Sequence, residues 1–439
     1  MLPLRDRSVH LIVTSPPYWA LRSYRDGEEH YAGQLGSEET PHAYLANLWR
    51  VLDECWRVLR PDGSCWINLG DKFAGSGGHN NGGLTGATST LKVGERGNRA
   101  QDQTRITQSS RRQAPDRYNQ HTGGLRPKSR MLLPHLFAAG SQYPWLRQAV
   151  ETQAGLNPTA DPQQWICRMD LVWSKPNGLP ESVTDRVRAS HEYWFHLVKS
   201  ERYFSALDTI REDYLAPTAT RTIAASTHAG TDGSGGVARR DAADVMNPLG
   251  KLPGSVWGVA TEPLLLPDPL PQHFAAFPSE WPRRLVLGWS PSGACVRCGE
   301  GRRPVCDVER QLEPGRRAKG LGRVFDPANV SHHPGDTPED ASGLHLVRRS
   351  TITGTACACP TPDAPTRPAV VLDMFGGTGT TAIVASALGR HGVSVDLSAD
   401  YHRIARWRDQ DGGLRAKALG VDRPPRELAG QLSLLEAVS

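Results

Sequence analysis

Short apolar runs alternate along this chain with amphipathic segments and with long stretches that have no periodicity. The run Ser8–Val13 predicts a buried strand. A helix is expected from Pro41, because Thr40 is a suitable N-cap and apolar residues recur at helical spacing from Leu45 to Leu59. A Pro-Asp-Gly turn then precedes a second apolar run, Ser64–Leu69. The first part of the chain is therefore predicted to form compact α/β structure.

The same two kinds of pattern return later in the chain. Strands are predicted at Arg168–Ser174 and Tyr193–Val198, and a helix over residues 274–289. Near the C-terminus, a strand at Ala369–Asp373, a helix over residues 380–389 and a strand at Val393–Asp396 are expected to form a βαβ unit. This alternation of strands and helices indicates a Rossmann-like α/β sheet with helices on both faces.

Long segments interrupt this pattern, and their composition decides how they are interpreted. The chain has 439 residues, a net charge of +5, 44 glycines and 34 prolines, so a large part must be loop. Residues 74–130 contain ten basic and three acidic residues, a local charge of +7. This segment is either a solvated surface insertion or a flexible basic arm for a phosphate backbone, and the sequence leaves both open. Residues 208–256 also lack periodicity.

The apolar pattern argues against the membrane and secreted classes of protein. No apolar stretch approaches the roughly 18–20 residues that a membrane-spanning helix needs. The N-terminal residues also lack the apolar core of a signal peptide. A cytoplasmic protein without a membrane partner is therefore predicted.

Two tight cysteine pairs lie within the Pro/Gly/Arg-rich residues 290–366. In a reducing compartment, such pairs indicate metal binding rather than disulfides. The pairs are Cys295 with Cys298 and Cys357 with Cys359, which have zinc-ribbon spacing. Four thiolates suit structural Zn²⁺, whereas free thiols or a ligand set that uses Cys306 are the alternatives.

A glycine-rich loop joins the strand and the helix of the C-terminal βαβ unit. The loop runs from Asp373 to Thr381, and Asp396 ends the next predicted strand. The glycines let the backbone approach a ligand closely, and Asp396 can accept hydrogen bonds from ribose hydroxyls. The loop lacks the lysine of an ATP-binding P-loop and the G-x-G-x-x-G spacing of a dinucleotide site. S-adenosylmethionine needs only the close turn and the acid, and a ligand-free turn is the structural alternative.

The first predicted strand runs into Thr14-Ser15-Pro16-Pro17-Tyr18-Trp19. The exocyclic amine of cytosine or adenine is a poor nucleophile, because its lone pair is delocalised into the ring. Ser15 Oγ and the Pro16 carbonyl can accept the two amine hydrogens, and Pro17 adds rigidity without an N–H group. Tyr18 offers a flat face to an extruded base, whereas core packing is expected for the tryptophan. A tight turn with aromatic packing is the alternative when the motif is considered alone.

Together, these motifs resemble those of the β-group amino-methyltransferases of DNA, in which circular permutation places the catalytic motif before the cofactor motif. The residues that carry the resemblance are Thr14–Trp19, Arg57–Gly63, Asn68–Asp71, Trp173–Asn177, Asp185-Arg186, Ser190–Tyr193, His273–Pro278 and Asp373–Thr381. The serine form of the catalytic motif is more typical of cytosine-N4 enzymes than of adenine-N6 enzymes. Met374 and Thr378 stand where this family usually has proline and serine.

The resemblance implies a site-specific DNA methyltransferase that uses S-adenosylmethionine, flips its target base and transfers the methyl group directly to an exocyclic amine. Cytosine N4 is favoured, and adenine N6 is the near alternative. The implied catalytic residues are Ser15, Pro16, Pro17 and Tyr18. The implied donor-binding residues are Phe274, Phe277, Pro278, Asp373, Phe375, Gly377, Gly379, Thr380 and Asp396. A catalytically inactive DNA-binding relative, or an enzyme that methylates RNA or a protein amide, is the other alternative.

The resemblance also implies a domain organisation. Residues 1–73 would form the catalytic half of the methyltransferase domain, 165–207 its continuation and 367–439 the donor-binding half. Between them would lie the basic insertion 74–164, the target-recognition segment 208–256, the donor-closing segment 257–289 and the zinc-ribbon insertion 290–366. Double-stranded DNA is the implied partner, whereas a cognate restriction endonuclease and a homodimer are left open.

Two other acidic positions receive structural interpretations. Glu192 forms a pair with His191 at a strand start, and no further histidine follows at metal-ligand spacing. Asp71 ends a strand at the expected ligand edge of the sheet, where ligand binding and turn capping are nearly equal alternatives.

Overall fold

The structure is a computed structural model. It describes residues 2–20, 25–26, 29–30, 33–74, 123–178, 181, 183–214, 223–224, 239–240, 247–264, 266–267, 270, 277–314, 344–361 and 364–421. Among the predicted site residues, Phe274 lies outside these ranges, as do most of the basic insertion and most of the target-recognition segment. Within the described residues, no helix is long and apolar enough to cross a membrane.

The strands are β1 (Val9–Thr14), β2 (Arg25–Asp26), β3 (Glu29–His30), β4 (Leu59–Leu69), β5 (Ile166–Ser174), β6 (His191–Val198), β7 (Ile223–Ala224), β8 (Arg239–Arg240), β9 (Val256–Gly258), β10 (Ala294–Cys295), β11 (Arg303–Pro314), β12 (Leu344–Ala356), β13 (Thr366–Arg367), β14 (Val370–Asp373) and β15 (His391–Ser394). The helices are α1 (Pro41–Val58), α2 (Leu133–Gln142), α3 (Pro144–Gln153), α4 (Glu280–Trp289), α5 (Thr380–Ala387), α6 (Ala399–Asp409) and α7 (Gly412–Leu419). The predicted mixture of strands and helices is confirmed.

Seven strands form the central sheet in the order β15-β14-β1-β4-β6-β5-β9. β15, β14, β1 and β4 pair in parallel, whereas β6 is antiparallel to both β4 and β5. β1 lies directly beside β14, with Leu11 opposite Val371 and Ile12 opposite Leu372. Because parallel neighbours end at the same edge of a sheet, the catalytic motif after β1 and the glycine loop after β14 meet there.

The core explains why β1 and α1 form as the sequence predicts. Every residue of β1 is buried, and the α1 stripe around Leu45, Leu48 and Leu52 is buried against the sheet. Thr40 Oγ1 accepts a hydrogen bond from the Ala43 N–H at 3.1 Å, so the predicted N-cap is confirmed. Each such large apolar side chain contributes about 1.5–3 kcal/mol on burial.

Two helices lie where the sequence pattern indicates only insertion. α2 and α3 fall within residues 74–164. Phe137 of α2 is buried, and its carbonyl accepts a hydrogen bond from the Trp49 indole at 3.1 Å. Gly140 allows this contact, because a Cβ there would lie 2.1 Å from the Trp49 ring. Leu132 at the N-cap makes no side-chain capping hydrogen bond, and Gly140 within α2 weakens the local helical signal, so tertiary packing decides this segment.

Strand boundaries also differ from the predicted ones. β4 begins at Leu59, so the Pro61-Asp62-Gly63 step lies within a strand that has a register shift opposite Val9 and Leu11. β15 ends at Ser394, which leaves Asp396 in the following loop. In the zinc-ribbon region, β10 pairs with β13, and β11 pairs with β12 in an antiparallel ribbon.

Candidate active site

A cavity of about 510 Å³ opens at the edge where β1, β14 and β15 end. Its wall contains members of both sequence motifs, namely Ser15, Pro17, Phe277, Phe375, Gly377, Thr380 and Asp396. Tyr401 of α6 also lines it, and Arg50 and Glu54 of α1 contribute charged groups. The structure therefore brings residues predicted as catalytic together with residues predicted to bind the donor.

The glycine loop turns tightly at one end of this cavity. Gly377 and Gly379 have φ values of +49° and +80°, which favour glycine. The Asp396 carboxylate accepts hydrogen bonds from the Gly377 N–H at 2.8 Å and from the Ser398 N–H at 2.9 Å. Asp396 therefore holds the loop while it faces the cavity.

Asp373 lies beneath the glycine loop rather than on the cavity wall. Its Oδ1 accepts hydrogen bonds from Thr14 Oγ1 at 2.6 Å and from the Phe375 N–H at 3.1 Å, and its Oδ2 accepts one from Thr381 Oγ1 at 2.8 Å. Burial raises the pKa of Asp373 to about 6, although these hydrogen bonds oppose the rise. Asp373 thus joins the end of β1 to the loop that follows β14.

The Asp373→Asn substitution is expected to remove a pH dependence of stability. Because the folded-state pKa is raised above the ordinary value, stability is greatest below pH 4 and is lost as pH rises through about 6. Relative to the Asp373→Asn variant, the wild type should lose about 3 kcal/mol of unfolding free energy across this window. Urea unfolding of both proteins at several pH values measures the difference. Parallel pH profiles would contradict the prediction.

Arg408 supports the loop from behind, and the sequence analysis does not identify it. This buried guanidinium donates to the Thr378 carbonyl at 2.8 Å, to Thr378 Oγ1 at 2.6 Å and to Thr380 Oγ1 at 2.8 Å. Burial lowers its pKa to about 10. No local pattern distinguishes this arginine from its exposed neighbours on α6, so only the fold reveals the contact.

The motif predicted to be catalytic is held by Asn68 at the end of β4. Ser15 Oγ donates to Asn68 Oδ1 at 3.1 Å, and the Tyr18 hydroxyl lies 2.7 Å from the same oxygen and 2.8 Å from Glu192 Oε2. Burial, together with the Glu192 charge, raises the pKa of Tyr18 well above its ordinary value. The phenol is therefore neutral at physiological pH. Asn68 belongs to a motif quoted for the resemblance, but its hydrogen bonds are visible only in the structure.

Two further residues have defined positions. Trp19 is 6% exposed within the core, and its indole donates to the Glu38 carbonyl at 2.8 Å, so the expected core packing is confirmed. Asp71 accepts hydrogen bonds from Arg130 Nε and from the Leu132 and Leu133 N–H groups at the start of α2. The capping interpretation of Asp71 is therefore the one that the structure bears out.

The segment before α4 supplies an aromatic wall. Phe277 lines the cavity and contacts Trp194 edge-on, with 5.8 Å between the ring centroids. Pro278 is buried next to it and precedes α4. Trp281 of α4 stacks on Trp194 at 5.1 Å, which anchors this segment to the sheet.

Two of the predicted metal ligands are placed by local backbone geometry. Cys295 and Cys298 flank a tight turn, in which the Gly299 N–H donates to the Cys295 carbonyl at 2.9 Å. Gly299 has a φ of +75°.

Comparison with known proteins shows the family of this chain. The family model N6_N4_Mtase, described as DNA methylase, matches residues 9–297 and 331–406. The chain belongs to the DNA methylase family. This DNA methylase is 31% identical to the type II methyltransferase M.Cfr9I of Citrobacter freundii over 295 residues, which are 67% of this chain and 70% of the relative. It is 33% identical to M.XycI of Xanthomonas campestris pv. cyanopsidis over 293 residues, with the same coverage.

Solved structures give weaker similarity. PvuII DNA methyltransferase (cytosine-N4-specific) has 12% identity and a TM-score of 0.43, over 96% of this chain and 89% of that one. A putative DNA modification methylase of Thermus thermophilus, complexed with S-adenosyl-L-methionine, has 17% identity and a TM-score of 0.35, over 95% and 88%. Both scores are below 0.5, so the sequence match establishes the family. The resemblance to amino-methyltransferases of DNA is thereby confirmed.

Proposed function

We propose that this DNA methylase transfers a methyl group from S-adenosylmethionine to the exocyclic amine of a base flipped out of double-stranded DNA, with cytosine N4 as the target atom. One observation carries the proposal: Ser15 and Pro17 share a cavity with Gly377 and Asp396. A methyl donor and an acceptor amine can react only if their two sites face the same space.

The cavity fits the donor. Its volume of about 510 Å³ lies within the range of small-molecule sites, roughly 300–1,000 Å³. The wall combines three aromatic side chains, Phe277, Phe375 and Tyr401, with the carboxylate of Asp396. Asp396 keeps acceptor capacity for ribose hydroxyls, since a carboxylate has about four lone-pair sites. S-adenosylmethionine supplies a methyl group on a positively charged sulfur.

The chain's own residues activate the amine. Ser15 Oγ and the Pro16 carbonyl accept the two amine hydrogens, which helps the nitrogen become tetrahedral and frees its lone pair. Tyr18 supports the base, and the Tyr44 hydroxyl donates to the Pro17 carbonyl at 2.9 Å, which stiffens the Pro-Pro step. In direct transfer the amine nitrogen would gain the methyl group as the methyl–sulfur bond breaks, the thioether S-adenosylhomocysteine would leave, and one amine proton would pass to water. No covalent bond between enzyme and base is needed, so none of the cysteines acts as a nucleophile.

The serine form of the catalytic motif favours cytosine N4 over adenine N6. The experiment incubates the purified protein with labelled donor and varied DNA duplexes, digests the DNA and separates the nucleosides. Labelled N4-methylcytosine is expected. Labelled N6-methyladenine would assign the protein to the adenine alternative. Label in RNA or protein alone, or in no substrate, would refute DNA methylation.

Several finer features belong to the same proposal. Residues 208–256 would read the target sequence, and the basic insertion would contact phosphates. The catalytic strand precedes the glycine-loop strand in the chain although β1 and β14 are neighbours, which supports circular permutation. The type II names of the relatives are consistent with a cognate restriction endonuclease. A homodimer and a cytoplasmic location stay predictions.

Structural zinc is expected at Cys295, Cys298, Cys357 and Cys359. Four thiolates in two closely spaced sequence pairs match the donor set of a structural zinc site, which leaves no open position for catalysis. Metal analysis of freshly purified protein should find about one zinc per chain. The Cys298→Ser variant should lose this zinc, whereas Cys306→Ser, the matched control, should keep it. Wild-type protein without zinc would refute the site.

A further inference from the structure

A chain of polar side chains runs behind the catalytic motif from Ser15 to Lys175. It passes from Ser15 to Asn68, from Asn68 to Tyr18 and from Tyr18 to Glu192. The far end is an ion pair between Lys175 and Glu192, whose side chains are 21% and 17% exposed. We propose that Glu192 is a positioning residue for methyl transfer, which holds Tyr18 and, through Asn68, sets the direction of the Ser15 hydroxyl. This inference rests on the proposed role of Ser15.

The Asn68 amide has an orientation that is fixed by its hydrogen bonds. Asn68 Nδ2 donates to the Tyr193 carbonyl at 3.1 Å, which leaves Oδ1 facing Ser15 and Tyr18. Asn68 lies opposite Trp194 in the register between β4 and β6. The amide oxygen and Glu192 are therefore carried by neighbouring strands, and groups built on strands hold their geometry better than groups on loops.

The direction of the Ser15 hydroxyl hydrogen decides whether Ser15 Oγ can accept from the amine. A hydroxyl that points its hydrogen into the cavity would donate to the amine lone pair and oppose the reaction. Asn68 Oδ1 takes that hydrogen, so the Ser15 lone pairs face the amine hydrogens instead. Ser15 also lines the cavity, where an acceptor is needed.

Two acceptors compete for the hydrogen of the Tyr18 hydroxyl. The phenol has one hydrogen, and two acceptors, Asn68 Oδ1 and Glu192 Oε2, lie within hydrogen-bond distance of it. Glu192 draws on this hydrogen and weakens the hydrogen bond from Tyr18 to Asn68 Oδ1, so Ser15 becomes the stronger donor to that oxygen. Lys175 holds the carboxylate in place, with its ammonium 4.3 Å from the centroid of the Trp173 ring.

The ring and the hydroxyl of Tyr18 each have a contact that fixes them. Gly70 lies against the ring, since a Cβ there would lie 2.5 Å from Tyr18 Cε2. Glu192 holds the hydroxyl. The interpretation of His191 and Glu192 as a purely structural pair is therefore incomplete, because Glu192 contacts a catalytic residue 174 positions away.

A double-mutant cycle tests the proposal in the 439-residue protein. Glu192→Gln keeps the shape of the side chain but removes the charge and the ion pair with Lys175. It is expected to lower kcat about 100-fold, with donor Kd unchanged within about twofold. Tyr18→Phe deletes the hydroxyl through which Glu192 acts. In that background the same Glu192→Gln change should alter kcat by less than about twofold.

A matched control is Glu181→Gln. Glu181 forms an ion pair with Arg186, with 2.8 Å between the paired atoms, and neither residue belongs to this network. This variant should leave kcat unchanged. An equal loss of kcat from Glu192→Gln in both backgrounds, or a loss confined to KM, would overturn the positioning role. If Glu192→Gln unfolds the protein, donor binding will be lost, and Lys175→Met then serves as the second variant. Lys175→Met should lower kcat in the wild-type background and leave it nearly unchanged in the Tyr18→Phe background. An equal loss of kcat in both backgrounds would also overturn the positioning role. Wild-type protein that methylates no DNA would instead refute the proposed function itself.

Discussion

The Ser15→Ala protein is expected to methylate DNA about a thousandfold more slowly than the wild type while it binds S-adenosylmethionine with unchanged affinity. The substitution removes the oxygen that accepts an amine hydrogen and changes nothing in the glycine loop. The Tyr18 hydroxyl, 2.7 Å from Asn68 Oδ1, can turn its hydrogen toward that oxygen in the variant, so the buried amide oxygen is not left without a donor. The loss should therefore appear in kcat rather than in donor binding.

Single-turnover transfer of labelled methyl groups measures the rate, and calorimetry measures donor binding. Ser8→Ala is the matched control, because Ser8 Oγ donates to the Arg5 carbonyl just before β1 rather than in the cavity. It should transfer at the wild-type rate. The Ser15→Ala, Tyr18→Ala double variant should show no transfer at all. Near-wild-type transfer by Ser15→Ala would exclude the proposed mechanism.

Local patterns made the two motifs and their strands predictable from the sequence. The buried run of β1, the N-cap Thr40 and the glycine loop each depend on residues close together in the chain. The meeting of the motifs in one cavity could be expected only from the resemblance to a family, because it depends on β1 pairing with β14.

Long-range contacts explain what could not be predicted. Asp373 was expected at the donor, yet its carboxylate is held by Thr14, 359 positions away. Arg408 and Glu192 likewise act on residues that are 30 and 174 positions distant. No periodicity or spacing marks such residues, since each is an ordinary charged residue in its own segment. α2 was missed for a related reason, because packing against Trp49 rather than propensity makes it a helix.

The Gly379→Val substitution is expected to weaken donor binding about a thousandfold, which corresponds to about 4 kcal/mol. Gly379 has a φ of +80°, and a Cβ at this position would lie 2.8 Å from the Cβ of Ala405. A β-branched residue would therefore add backbone strain to a clash with α6. Gly379 N–H also donates to the Gly376 carbonyl at 2.8 Å, so displacement at this point opens the whole loop.

Gly389→Val separates loss of the site from general strain. Gly389 has nearly the same φ, +79°, but nothing lies within 4 Å of the Cβ that it would gain. Both variants therefore have the same backbone penalty, and only Gly379→Val distorts the loop. Calorimetry with S-adenosylmethionine should show near-normal affinity for Gly389→Val and almost none for Gly379→Val, while both retain DNA binding and a cooperative thermal transition. Equal loss of affinity in the two variants would mean that strain alone, and not the shape of the glycine loop, limits donor binding.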